Sequence, residues 1–215
     1  MSPHHVVAID GPAASGKSSV ARALAQRLGF SYVNSGAMYR AVTWHVLQRR
    51  VNVHEAAAVA AAVEQLRIVC QLVDHQSRIL IDDRDPSPHL RDEDVNCAVS
   101  LVSSVPRVRE ILVPRMRECA NKENVVMEGR DIGSVVFPET PFKFYIDASP
   151  EVRRKRRLAE GQRDEIAARD RADSSRAASP LVIAPDAVAI DTSTLGIDGV
   201  VDQIVRQLQE KGLAI

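Results

Sequence analysis

The sequence predicts an α/β fold: a five-stranded parallel sheet, doubly wound with helices on both faces. Three observations predict this fold. Short apolar runs alternate along the chain with segments of helical periodicity, which is typical of parallel strands joined by crossover helices. A G-x-x-x-x-G-K-[ST] motif stands between the first apolar run and the first helical segment. Residues 34–124 separate the second and third predicted strands, far more than one crossover needs, so an insert lies there.

The elements follow in order along the chain. The five strands are predicted at residues 6–9, 31–33, 125–127, 142–146 and 187–190. Inside the insert, residues 66–72 and 78–81 flank the turn-like stretch 74–77 and predict a hairpin. Helices are predicted in the insert at about 55–64, 92–102 and 106–120, and the last helix at about 197–209. The sequence therefore predicts a parallel core, about 1–54, 121–150 and 180–215, with an acceptor-side insert of small antiparallel sheet plus helices at about 55–120.

The composition excludes several classes of protein. The chain has 215 residues, with 28 Lys and Arg against 28 Asp and Glu, so there is no global positive charge to bind nucleic acid or an anionic membrane. No apolar run is long enough to span a bilayer. Three cysteines with no paired spacing indicate reduced thiols rather than a disulfide framework. We expect a cytoplasmic protein that acts on small molecules.

The phosphate-binding motif begins at Gly11 and ends at Ser18. Its glycines let successive backbone N–H groups turn toward one concavity, and the following helix directs its positive N-terminal end there. Lys17 would reach the outer phosphates of a nucleoside triphosphate, and the Ser18 hydroxyl would bind Mg²⁺, partly through water. The predicted ATP-binding residues are Gly11, Pro12, Ala13, Ala14, Ser15, Gly16, Lys17, Ser18 and Ser19.

Two further clusters follow strands two and three. Ser35, at the start of a helix, can cap that helix or bind a phosphate, and Arg40 can clamp a phosphate with two hydrogen bonds. The alternative is an ordinary helix cap followed by a solvated arginine. After strand three, Glu128 stands where enzymes with this loop keep a carboxylate that orients metal or water. The glycines at 129 and 133 indicate a tight turn, and the alternative is a surface turn with a local Arg130–Asp131 pair.

The segment 151–176 is rich in arginine and predicts a pair of helices that closes as a lid over a triphosphate. Arg169, Asp173 and Arg176 have the spacing that places three residues on one helix face, which favours a ligand clamp. The alternative is a solvated helix face with i,i+4 ion pairs. Most of the residues from Arg153 to Arg157 fit that alternative, because five adjacent residues cannot all face one site.

Several segments together resemble the bacterial cytidylate kinases, the long-insert branch of the nucleoside monophosphate kinases. They are residues 9–12 leading into the loop, 35–40, 106–109, 129–138 and 169–176. The resemblance implies transfer of the γ-phosphoryl group of ATP to CMP, with dCMP also accepted, by a monomer that uses Mg²⁺. Other acceptors, UMP, AMP or a small metabolite, and a P-loop ATPase switch are the alternatives.

The resemblance also implies roles for the acceptor residues. Ser35, Arg40, Arg130 and Arg176 would hold the acceptor phosphate, Ser100, Arg109 and Asp131 the cytosine, and Arg169 and Asp173 the sugar, with Gly129 beside them. The catalytic group would be Lys17, Arg130, Asp131 and Arg157. The chain departs from the family at Asn34, where many relatives carry an acid, and at Glu128, where some carry Asp. Its lid, about 151–179, is also shorter than is common in the family.

Overall fold

A computed structural model describes residues 4–159, 166–176 and 179–214 of the chain. Its strands are β1 (Val6–Asp10), β2 (Ser31–Asn34), β3 (Ile68–Val73), β4 (Gln76–Ile81), β5 (Val125–Gly129), β6 (Lys143–Asp147) and β7 (Val188–Asp191). Its described α-helices are α1 (Lys17–Leu28), α2 (Ser35–Gln48), α3 (Ala56–Val63), α4 (Glu93–Ser104), α5 (Pro106–Ala120), α6 (Pro150–Ala159), α7 (Ile166–Ser174) and α8 (Ile197–Glu210).

The five predicted parallel strands are confirmed and form the centre of the sheet. The sheet order is β3-β4-β2-β5-β1-β6-β7, with β1 between β5 and β6. All four contacts among β2, β5, β1, β6 and β7 are parallel. The carboxyl ends of β1, β2 and β5 therefore lie side by side at one edge, where open α/β sheets bind their ligands.

The hairpin of the insert is antiparallel as predicted, and it also continues the central sheet. Asp74 and His75 both have positive φ, as the two central residues of a tight hairpin turn require. Gln76 belongs to β4 rather than to the turn and pairs with Tyr32 of β2 in parallel. The sheet is therefore mixed and seven-stranded, with the hairpin as its outer edge.

Two apolar clusters cover the two faces of the sheet, because neighbouring residues of a strand point to opposite sides. Val7 and Ile9 pack with α1 and α8 on one face. Val6 and Ala8 pack on the other face with α2, α3, α4 and α5. Both faces of the central strands are buried, which explains why these strands are continuous apolar runs in the sequence.

The segment after β6 contains two helices, α6 and α7, as predicted. Residues 160–165 of the predicted lid lie outside the described part of the chain, as do residues 177 and 178. One detail of the prediction is wrong: α7 ends at Ser174, so Arg176 is not on the same helix face as Asp173 but lies beyond the helix. Among the described helices, none has the length and apolar character needed to cross a membrane.

Candidate active site

A cleft of about 350 Å³ lies beyond the carboxyl ends of β1, β2 and β5. One of its walls is the phosphate-binding loop, from Ala13 to Ser19. The opposite wall comes from α2, α4, α5, α7 and the turn after β5. The predicted residues that line it are Ala13, Ala14, Gly16, Lys17, Ser18, Ser19, Ser35, Arg40, Ser100, Arg109, Gly129, Arg130, Asp131, Arg157, Asp173 and Arg176. Predicted donor and acceptor residues, distant in sequence, therefore share one cavity.

The phosphate-binding loop needs its glycines for two different reasons. A Cβ on Gly11 would lie 2.0 Å from the Ile146 carbonyl oxygen, so only glycine lets the loop pass this close to β6. Gly16 has a φ of 88°, in the left-handed region, and directly precedes the first residue of α1. Gly11, Pro12 and Ser15 shape the loop without lining the cleft, and Ser15 is buried beneath it.

Lys17 and Ser18 open α1 and face the cleft. The Lys17 ammonium lies 2.9 Å from the Pro12 carbonyl oxygen, so it is folded back along the loop. The Ser18 hydroxyl is exposed and donates to Glu128 Oε2 at 2.8 Å. This adjacent hydroxyl and carboxylate are the hard oxygen donors that Mg²⁺ prefers, so the residues fit the ion.

Glu128 is buried at the end of β5, and its second oxygen also has a donor. The Tyr32 hydroxyl donates to Glu128 Oε1 at 2.6 Å, and Asn34 Nδ2 donates to the Tyr32 oxygen at 3.2 Å. Burial and the neighbouring Glu128 carboxylate raise the pKa of Tyr32, so its phenol keeps its proton at neutral pH. Within the described residues, no group of three or more His, Cys, Asp or Glu side chains forms a metal cage.

Asp10 ties the phosphate-binding loop to the turn after β5. This buried residue ends β1, and its two carboxylate oxygens accept from the backbone N–H groups of Ile132 and Gly133, both at 2.8 Å. Burial raises the pKa of Asp10 to about 6, although both backbone hydrogen bonds favour the ionised form. The turn that carries Arg130 and Asp131 is therefore held directly against the strand that leads into the loop.

The start of α2 differs from the prediction in one respect. Asn34, not Ser35, caps the helix, since its side-chain oxygen accepts from the Ala37 N–H at 3.0 Å. Ser35 is the first helical residue, and its hydroxyl donates to the Glu128 carbonyl oxygen at 2.7 Å. Arg40 lines the cleft and donates from Nη1 to the Leu90 carbonyl oxygen at 2.9 Å and to Asn96 Oδ1.

A buried ion pair forms the floor of the acceptor side. Arg109, on α5, binds Asp131 through Nη2 and donates from Nη1 to the Ser103 carbonyl oxygen at 3.2 Å. Its guanidinium also lies over the Tyr39 ring, 5.2 Å from the ring centroid. Arg109 Nε is buried and has no hydrogen-bond partner among the described residues. Such unsatisfied donors are rare in native interiors and are typical of functional sites.

Asp173 brings two more arginines together. It accepts from Arg130 Nε at 2.9 Å and binds Arg176 Nη2, so Arg176 reaches the site although it lies outside α7. Arg176 Nη2 also donates to Ser103 Oγ at 2.9 Å. Burial lowers the pKa of Arg176, and the neighbouring Asp173 carboxylate offsets only part of this effect. With Arg109 and Asp131 next to this group, three guanidinium groups meet two carboxylates, which leaves positive charge to bind an anion.

The arginines of α6 have separate roles. Arg153 donates to the Ala13 carbonyl oxygen at 3.3 Å, and Arg156 donates to the Ser15 carbonyl oxygen at 3.1 Å. Both brace the back of the loop and do not line the cleft. Arg154 is exposed, and Arg157 lines the cleft. The side chain of Arg169 lies outside the described part of the chain.

Sequence reasoning missed several residues that line the same cleft. They are Arg22, Asn34, Gly36, Ala37, Tyr39, Leu90, Arg91, Asn96, Val99, Ser103 and Glu128; Asn34 and Glu128 had been singled out without being assigned to the site. Helical periodicity could have found some of them. Asn96 and Ser103 lie at i−4 and i+3 from Ser100 on α4, and Tyr39 lies four residues after Ser35 on α2.

This chain is similar to known proteins over nearly its whole length. The sequence profile of the family described as Cytidylate kinase matches residues 7–210. A cytidylate kinase of Rhodococcus jostii (strain RHA1) is 45% identical over 218 residues, which cover 96% of this chain and 95% of the relative. A cytidylate kinase of Desulforamulus reducens is 43% identical over 223 residues, 99% of this chain and 100% of the relative. Shikimate kinase from Acinetobacter baumannii in complex with shikimate aligns over 99% of this chain and 97% of that chain, with a TM-score of 0.49 and 12% identity. Because the profile spans nearly the whole chain and full-length relatives share so much of its sequence, this chain belongs to the cytidylate kinase family.

Proposed function

We propose that this protein transfers the γ-phosphoryl group of ATP to CMP, and also to dCMP, by direct in-line transfer between the two bound nucleotides. The observation that carries the proposal is the shared cleft, with the phosphate-binding loop on one wall and the buried arginine–carboxylate groups on the other. Two nucleotides bound on these walls would bring their phosphates together between Lys17 and Arg130. Such positioning accounts for most of the catalysis in phosphoryl transfer.

On the donor side, the backbone N–H groups of the loop would bind the β- and γ-phosphates of ATP. Lys17 would leave the Pro12 carbonyl oxygen and neutralise charge on the transferring group. Ser18 and Glu128 would hold Mg²⁺, which would offset the negative charge of the phosphates when bound. Arg157, on the cleft side of α6, would contribute a further positive charge to the transition state.

On the acceptor side, Ser35, Arg40, Arg130 and Arg176 would bind the phosphate of CMP. The Asp131 carboxylate would accept a hydrogen bond from the cytosine amino group, a donor that uracil lacks, with Arg109 and Ser100 beside it. Asp173 and Arg169 would bind the sugar. No strong general base is needed, because the attacking phosphate oxygen is already ionised at neutral pH.

The test is a panel of CMP, dCMP, UMP and AMP with ATP and Mg²⁺, in which diphosphate formation and acceptor-free ATP hydrolysis are measured separately. We expect CMP and dCMP to be phosphorylated, UMP and AMP to be much poorer acceptors, and ATP to be almost stable without an acceptor. Faster turnover of UMP or AMP would overturn the assignment of CMP. ATP hydrolysis that is independent of any monophosphate would instead support an ATPase switch.

A further inference from the structure

We propose that Tyr32 is a positioning residue for the metal side of the donor site: its hydroxyl holds the Glu128 carboxylate against the hydroxyl of Ser18. This inference rests on the proposed use of ATP with Mg²⁺. Tyr32 lies in the middle of a strand and does not line the cleft, so it touches neither nucleotide. Its effect would pass entirely through Glu128.

The strand register explains how a core tyrosine reaches the end of the neighbouring strand. Tyr32 pairs with Val126, and Asn34 pairs with Glu128, in the parallel contact between β2 and β5. Residues two apart on a strand share a face, so Tyr32, Asn34, Val126 and Glu128 all point toward the α1 side of the sheet. The tyrosine side chain is long enough to cover the two-residue step, and its hydroxyl reaches Glu128 Oε1 at 2.6 Å.

The hydrogen bonds of this group converge on the carboxylate of Glu128 from two sides. Asn34 Nδ2 donates to the Tyr32 oxygen at 3.2 Å, and Tyr32 donates to Glu128 Oε1. Glu128 Oε2 accepts from Ser18 Oγ at 2.8 Å. Each oxygen of the buried carboxylate thus has one donor, which fixes the orientation of the group. With its proton directed to Glu128, the Ser18 hydroxyl turns its lone pairs away from that carboxylate and is free to bind a cation.

The hydroxyl of Tyr32 does more than a core position requires. The ring packs in the apolar cluster between the sheet and α1, and phenylalanine would fill the same space. Without the hydroxyl, however, Glu128 Oε1 would lose its donor while staying buried, and the carboxylate could rotate away from Ser18. Groups that orient the ligands of a metal commonly change its affinity by 10- to 100-fold when they are removed.

The decisive variant is Tyr32→Phe, studied by calorimetric titration of the purified protein with ADP, with and without Mg²⁺. The ratio of the two dissociation constants measures how much the ion strengthens nucleotide binding. We expect this ratio to fall about tenfold in Tyr32→Phe, with metal-free ADP binding and CMP binding unchanged. Tyr145→Phe is the matched control, because Tyr145 lies on β6, does not line the cleft and should leave the ratio as in the wild type.

A double-mutant cycle with Glu128→Gln tests whether Tyr32 acts through Glu128. We expect Glu128→Gln to lower the same ratio, and Tyr32→Phe to lower it no further when the two are combined. A wild-type ratio in Tyr32→Phe or in Glu128→Gln, or fully additive losses, would overturn the proposal. The ADP titrations contain no acceptor, so their outcome is independent of whether CMP proves to be the substrate. If Tyr32→Phe does not fold, a wild-type ratio in Glu128→Gln would still overturn the proposal.

Discussion

The two walls of the cleft are built in different ways. The donor wall is one continuous stretch of chain whose chemistry comes mainly from its backbone, with Gly11 and Gly16 setting the conformation. The acceptor wall consists of side chains from α2, α4, α5, α7 and the turn after β5, which are held in place by one another. A site made by the backbone can therefore be recognised in a short sequence motif. A site made by side chains from several elements is assembled only when the chain folds.

The two walls also differ in how they are stabilised. The loop hydrogen-bonds largely to itself and to the residues that brace it, such as Arg156. The acceptor wall contains buried ion pairs, in which Arg109 and Arg176 each keep an Nε without a hydrogen-bond partner among the described residues. Removing one partner of such a pair leaves the other charge buried and uncompensated, so changes there affect both stability and specificity. Changes in the donor wall should affect turnover instead.

The largest expected effect is a loss of turnover without a loss of CMP binding. Lys17→Met removes the ammonium group that would neutralise the transferring phosphoryl group, so kcat should fall by about 10³-fold or more. CMP binding, measured by calorimetry, should persist because Lys17 is on the donor wall. Near-normal turnover in this variant would contradict the assigned role of Lys17.

Asp10 joins the two walls, and we expect its carboxyl group to make the stability of the folded protein depend on pH. Its carboxyl has a pKa raised by burial from 3.8 to about 6 in the folded protein, so the folded state holds the proton more tightly than the unfolded state. The contribution of Asp10 to stability is therefore full below about pH 4 and is lost as the pH rises through about 6. A shift of this size corresponds to about 3 kcal/mol.

Asp10→Asn removes this titration. The unfolding free energy of the wild type minus that of Asp10→Asn, measured by urea denaturation, should decrease by about 3 kcal/mol between about pH 4 and about pH 7. All other titrating groups are common to both proteins and cancel to first order. A difference that stays constant over this range would show that Asp10 is not buried against the turn as described.

Arg157 and Arg154 form a matched pair on α6. Arg157 lines the cleft and Arg154 is exposed. We expect Arg157→Ala to lower kcat by about a hundredfold, as is typical when one charge that stabilises the transition state is removed. Arg154→Ala should stay within about twofold of the wild type, because an exposed arginine contributes little. Equal effects of the two substitutions would mean that Arg157 is not the residue of α6 whose charge stabilises the transition state.

The smallest expected effect concerns base specificity. Asp131→Asn replaces the carboxylate that we propose as the acceptor of the cytosine amino group with an amide that can also donate to the O4 carbonyl of uracil. The ratio of kcat/KM for CMP over UMP should therefore fall about tenfold. ATP binding serves as the control and should be unchanged. An unaltered ratio would mean that another residue distinguishes the bases.

The sequence was sufficient for the parts of the molecule that are local. The five parallel strands and the phosphate-binding loop follow from apolar runs and one motif, because both depend on neighbouring residues. The pairing of Gln76 with Tyr32 could not be predicted, since it joins an edge of the hairpin to a strand far away in the chain. Arg176 was predicted on a helix that ends before it, and its contacts with Asp173 and Ser103 bring it back to the site.

The contacts of Tyr32 and Asp10 could not be predicted from the sequence for the same reason. In the sequence Tyr32 is an ordinary aromatic residue of a strand, and Asp10 is the residue before a familiar loop. Their roles depend on Glu128 and on the Ile132–Gly133 backbone, which lie more than ninety positions away. Local sequence patterns and the resemblance to the family together supplied the acceptor residues, nine of which the structure brings to one cleft. Residues outside the family motifs and outside the helices that carry them, such as Leu90, became visible only in the folded chain.

We expect a phosphoryl group to pass directly from ATP on the donor wall to a nucleotide on the acceptor wall. Rapid-quench analysis of the wild-type protein with ATP labelled at the γ-phosphoryl group, CMP and Mg²⁺ tests it most directly. The label should appear in CDP from the first time point, with almost none in inorganic phosphate and none bound covalently to the protein. Label that accumulated in inorganic phosphate, or on the protein before it reached CDP, would contradict the account.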